Sequence, residues 1–82
     1  MEKKMTIRKV SLNGIEDVKQ FVRIMGACPH PTVVKADKYI VDAKSIMGMF
    51  SLNLLEPVKL EIEADETEVK ETLDAIQSFI VK

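Results

Sequence analysis

Few side chains in this chain have the chemistry to act on a substrate. The single histidine, His30, and the single cysteine, Cys28, stand two residues apart in Cys28-Pro29-His30-Pro31. That spacing suggests a metal pair, but two ligands between prolines make a poor site, so no metal and no cofactor is expected. Glu16 and Asp17 are adjacent carboxylates behind Asn13-Gly14-Ile15. Ser45 precedes a run rich in methionine and large aliphatic residues, Ile46-Met-Gly-Met-Phe50. A serine there caps a helix through its hydroxyl oxygen. No glycine-rich phosphate loop and no paired catalytic carboxylates are present, so the chain reads as something other than an enzyme.

The elements that must position these residues follow from periodicity. Residues 4 to 10 alternate closely enough for a strand, with Met5, Ile7 and Val10 as its apolar members. Ile15, Val18, Phe21, Val22 and Met25 recur at helical spacing, which predicts a helix from about 14 to 26. Asn13 with Glu16 three residues on fits an N-cap and its capping-box partner. Pro29 and Pro31 end the helix. Residues 32 to 36 and 39 to 43 form a hairpin about Asp37-Lys38. A short helical segment runs from Ile46 to about Leu52. Val58, Leu60 and Ile62 alternate strictly with Lys59, Glu61 and Glu63, the clearest strand of all. Asp65 or Thr67 caps a last helix with the stripe Val69, Leu73, Ile76, Phe79 and Ile80.

The order is βαββαβα, an α+β fold with a four-stranded antiparallel sheet and its helices on one face. A right-handed crossover from the first strand through the first helix to the second leaves a gap, and the strict strand pairs inside it. The other sheet face should meet water. The 82 residues suffice for one domain, 1–82, and one core.

Composition removes several classes of function. Lys plus Arg number 12 and Asp plus Glu 13, a net charge of −1, which disfavours a nucleic-acid or anionic-membrane binder. One cysteine allows no internal disulfide. Met1–Met5 lacks the apolar stretch of a signal peptide, and no apolar run is long enough to span a membrane. A cytoplasmic location is the expectation.

The 44–54 segment holds more apolar surface than one helix face needs. At about 100° per residue, Ile46, Met47, Phe50 and Leu54 share one sector, and Met49 and Leu52 lie on another. Assigning Met49 and Leu52 to the core leaves Ile46, Met47 and Phe50 exposed, as a docking surface. Burial of the whole segment under a loop is the competing arrangement.

Ala43-Lys-Ser-Ile-Met-Gly-Met-Phe-Ser-Leu52 closely resembles the serine-site segment of HPr, the small phosphocarrier of the sugar phosphotransferase system. Length and element order resemble that family throughout. Asn13-Gly14-Ile15 is similar to the start of its active-site loop, and Gln20-Phe21-Val22 to the body of its first helix. The resemblance implies an open-faced sandwich. It also implies regulatory phosphorylation at Ser45, contacts through Lys44, Ile46, Met47 and Phe50, and partners among a serine kinase, a transcription regulator and phosphotransferase-system enzymes.

The active-site loop departs from the family pattern, Asn-Gly-Leu/Ile-His-x-Arg-Pro-Ala. Here it reads Asn13-Gly14-Ile15-Glu16-Asp17-Val18-Lys19, about two residues short, with Glu16 in the place of the phosphoryl-accepting histidine. The partner arginine and the proline are also missing. Carboxylates at that helix start repel a phosphoryl group, so the resemblance points to the branch of the family (Crh) that lacks the histidine and keeps the serine. Two rivals stay open: a carrier whose acceptor has moved to Glu16 or His30, and an interaction domain without phosphorylation.

Overall fold

The computed structural model describes residues 4–52 and 54–81. Asn53, inside the segment singled out above, lies outside them. The strands are β1 (Thr6–Val10), β2 (Thr32–Ala36), β3 (Tyr39–Asp42) and β4 (Val58–Ile62). The helices are α1 (Ile15–Gly26), α2 (Ile46–Phe50) and α3 (Lys70–Ala75), and a 3-10 turn, Gln77–Phe79, follows α3.

The strands form one antiparallel sheet in the order β1-β4-β2-β3. β4 occupies the gap left by the β1-α1-β2 crossover. It pairs with β1 from Thr6↔Ile62 to Val10↔Val58, and with β2 from Thr32↔Ile62 to Lys35↔Lys59. Its alternation explains the placement: Val58, Leu60 and Ile62 are buried beneath the helices, and Lys59 is exposed on the other face. The β2–β3 hairpin turns at Asp37-Lys38, where Asp37 takes φ 58°, a left-handed conformation that aspartate tolerates better than most residues.

α1 buries Val18, Phe21 and Met25 against the sheet. The Phe21 ring meets Phe79 edge to face, with centroids 6.3 Å apart and planes at 78°. Cys28, Met49, Leu52, Val69 and Ile76 complete the same core.

Two expectations are corrected. In β1 the residues turned toward the helices are Thr6, Arg8 and Val10, while Ile7 lies on the open face, 49% exposed. The β1–β4 register decides this, because Thr6 and Val10 sit opposite the buried Ile62 and Val58. Thr6 tolerates burial because its hydroxyl donates to the Ala64 carbonyl at 2.8 Å. At the other end of the chain, the last helix is shorter than its stripe. Asp65 accepts from the Glu66 amide and the Thr67 hydroxyl, and Glu68 accepts from the Asp65 amide. These local bonds hold residues 66–69 as turns, so regular helix begins only at Lys70. Ile80 is extended (φ −74°, ψ 130°) and bridges to Val10 instead of continuing the helix. The Val81 amide donates to the Lys9 carbonyl at 2.8 Å and the Ser11 amide to the Phe79 carbonyl at 2.7 Å.

The contrast between the two sheet faces gives a direct test. Leu60→Ala removes a fully buried side chain from the central strand and should cost about 2–5 kcal/mol in urea unfolding. Ile7→Ala, half-exposed on the open face, should stay within roughly 1 kcal/mol. Equal costs at the two positions would show that the open face is not bare.

Candidate functional site

α2 is five residues long, too short to persist without outside support. Three contacts hold it. Ser45 caps it in extended conformation, its Oγ accepting from the Gly48 amide at 3.1 Å. Gly48 lies so near β3 that a Cβ there would stand 3.2 Å from the Val41 Cβ and 3.3 Å from Ser45 Oγ. The missing side chain therefore admits both the strand contact and the cap. Met49, 0% exposed, enters the core, and Leu52 is buried behind it.

Asp42 prepares the cap. Its side-chain Oδ1 accepts from the Lys44 amide at 2.8 Å, and its carbonyl accepts from the Ser45 amide at 3.0 Å. Lys44 does not stand free: its Nζ donates to the His30 carbonyl at 3.0 Å, tying the loop after α1 to the start of α2. A contact from Lys44 to a phosphate on Ser45 requires giving up that bond.

The outward side of α2 presents Ile46, Met47 and Phe50, with Met47 76% exposed. Beyond the helix Leu55 is 93% exposed. Leu54 and Leu55 line a shallow depression with Leu12, Asn13 and Gly14, which brings this apolar surface to the start of α1, where Ile15 is also exposed. Leu55 was missed in the sequence, and Ile15, read both as part of the loop and as a member of the α1 stripe, stands outside the core. The signal for Leu55 was an apolar pair standing directly before the Glu56-Pro57 break, beyond any helical period.

At the α1 terminus the expected cap is corrected. The N-cap residue is Gly14, at φ 89°, and the Asn13 side chain makes no capping bond. Asp17, not Glu16, does the reaching back: its Oδ2 accepts from the Asn13 amide at 2.9 Å. The box is displaced by one residue because glycine alone enters the positive φ without strain. Glu16 is left exposed, so two carboxylates sit where amide groups otherwise attract anions.

His30 lies past the far end of α1, whose 12 residues span about 18 Å, while Glu16 stands in its first turn. Cys28 is buried. The structure thus brings Ser45, Ile46, Met47 and Phe50 together at α2, with Asn13, Gly14 and Ile15 adjoining through Leu54 and Leu55; the His30 backbone is tied to the start of α2 through Lys44, and Cys28 is buried in the core. Among the described residues no group of three or more His, Cys, Asp or Glu could hold a metal. No helix among them is long and apolar enough to cross a membrane.

A sheet with one open face, helices on the other, and a serine-capped helix beside the first helix's N-terminus defines an HPr-like open-faced sandwich. The family described as the PTS HPr component phosphorylation site matches residues 2–82. The chain belongs to this family of phosphotransferase-system phosphocarriers. It is similar to HPr-C-His from Thermoanaerobacter tengcongensis, at 28% identity over 92% of each chain with a TM-score of 0.70. It shares the fold of phosphocarrier protein HPr from Bacillus anthracis str. Ames, at 20% identity over 94% of this chain and 98% of that one, TM-score 0.71. No curated protein sequence matches it.

Two pairs of substitutions test the site's architecture. Met47→Ala should leave unfolding free energy within about 0.5 kcal/mol, while Met49→Ala should cost about 2–5 kcal/mol. Asp17→Ala should cost on the order of 1 kcal/mol through the displaced capping box, and Asn13→Ala should cost only a few tenths. Denaturant midpoints for the four variants check both pairs, and a larger loss at Asn13 than at Asp17 would restore the original assignment.

Proposed function

We propose that this chain is a single-domain, cytoplasmic, partner-binding member of the HPr family that regulates rather than carries phosphohistidine. The observation that carries the reading is the pairing of an exposed apolar α2, capped by Ser45, with a first-helix terminus occupied by Glu16 and Asp17.

A phosphohistidine carrier needs an imidazole nitrogen at a helix N-terminus, with amides and a cation around the phosphoryl oxygens. Here Glu16 stands in the histidine's place, and Asp17 already holds the Asn13 amide. His30 lies past the C-terminal end of α1, away from the amides that open that helix, and its carbonyl accepts from Lys44. These groups favour proteins docking on this surface without phosphoryl transfer through it.

Ser45 is the regulatory residue in this reading. As the cap, its Oγ accepts a hydrogen bond and keeps its own proton, so a kinase can transfer a phosphoryl group to that oxygen as the proton leaves. Phosphate adds roughly −1.5 to −2 charges at the positive end of the helix, where charge is tolerated. The nearby Asp42 carboxylate opposes part of that gain. The new charge lies beside Ile46 and Met47 and changes which surfaces can cover them. Partners fall into three groups: a serine kinase, a transcription regulator, and enzymes of the phosphotransferase system.

Three outcomes separate this reading from its rivals. Incubation with phosphoenolpyruvate and the family's first enzyme should leave no acid-labile phosphate. Stoichiometric label on His30 or Glu16 would establish a displaced carrier. Incubation with the serine kinase and ATP should label Ser45 and not the Ser45→Ala variant, which should itself lose about 0.5–2 kcal/mol of stability from the cap. Absence of both labels would leave an interaction domain without phosphorylation.

A further inference from the structure

The open face of the sheet sorts its charges into rows. Pairing registers place Ile7, Glu61, Val33 and Asp42 side by side across β1, β4, β2 and β3. The next row holds Lys9, Lys59, Lys35 and Ile40. Lys59 therefore lies directly opposite a lysine on each side, an arrangement that costs free energy in an isolated sheet. Lys35 reaches across to Glu61, Nζ to Oε2 at 3.1 Å. Lys9 and Lys59 have no ion-pair partner among the described residues. Ile40, on the edge strand, is 64% exposed.

We propose that this face is a contact surface for a second copy of the chain, packed sheet to sheet about a two-fold axis parallel to the rows. That operation lays each strand over its own counterpart and exchanges the two rows. Lys59 then stands over Glu61 of the second copy, which Lys35 already pairs and whose side chain is 12% exposed, and the same contact is made twice. Ile7 meets the aliphatic stem of Lys9 from the other copy. A two-fold axis along the strands instead sets Lys59 against Lys35 of the second copy, and repulsion excludes it. The chosen axis also keeps strand directions aligned, the common packing of two sheets about 10 Å apart. Acidic side chains next to the lysines count against an anionic membrane or a nucleic acid on this face.

The face measures about four strands at 4.8 Å by five residues at 3.3 Å, or roughly 300 Å². That is less than half of the ~800 Å² per partner of a standard interface, so the association is weak and reversible. It does not rest on the reading of the α2 surface.

Sedimentation velocity on the wild-type chain, up to about 1 mM, should show a monomer–dimer equilibrium. Raising salt from about 0.05 to 0.5 M should shift it toward monomer. Lys59→Glu and Glu61→Lys should each be monomeric over the same range, since each sets like charges opposite in both pairs. An equimolar mixture of the two variants should associate again, because both pairs become complementary. Wild type that stays monomeric, single variants that associate as wild type does, or a mixture that fails to associate would each overturn the proposal. Circular dichroism checks that the variants fold. If Glu61→Lys does not, the concentration dependence of wild-type amide chemical shifts decides: shifts at Ile7, Lys59 and Glu61 support the contact, and shifts confined to α2 overturn it.

Discussion

The insertion of β4 between β1 and β2 sets the geometry of everything else. One five-residue strand must satisfy two registers at once, and both assign Val58, Leu60 and Ile62 to the same face. A shift of one residue would bury Lys59 and Glu61 under the helices and expose the apolar set. That penalty fixes which face is core, and so fixes where α1 and the α3 region lie. It also fixes which side of β3 receives α2. α2 takes its place because Val41, on the core side of β3, lies against Gly48.

Electrostatics divide the molecule's ends by task. At the α1 terminus, acidic side chains are spent on local structure, with Asp17 closing the loop on Asn13. A terminus satisfied in this way has less positive potential to offer an incoming anion. At the α2 terminus the cap is a neutral serine, so added charge there remains compatible with the helix. Two helix starts of one chain thus differ in charge: Glu16 and Asp17 crowd the first, while the second carries a neutral serine with the Asp42 carboxylate nearby.

Legibility from sequence tracked the length and strictness of each pattern. β4 could be read because three apolar and three charged residues alternate without a break. α1 could be read because its stripe covers three turns. The Ser45 cap and the split of α2 into Met49 and Leu52 against Met47 and Phe50 followed from simple angular spacing. β1 misled: Ile7 suggested a buried face, but only pairing with β4 determines which side of a short strand is core. The end of the chain misled for another reason. Apolar spacing from Val69 to Ile80 is helical, yet Asp65 and Glu68 bond locally before it and Ile80 finds a strand partner after it. The displaced capping box was hidden by the choice between Asn13 and Gly14, which backbone dihedrals settle and residue type does not. Leu55 was hidden because exposure of an isolated loop leucine leaves no periodic trace.

The brevity of α2 has a consequence for its lifetime. A helix of this length does not form alone, so the exposed apolar surface exists only while Met49 stays packed and Ser45 holds its cap. Local opening of this segment needs far fewer contacts broken than opening of the sheet. The surface is therefore a transient structure on a durable platform. Exchange of the Gly48 amide hydrogen with solvent acts as its clock, timing how often the platform is bare.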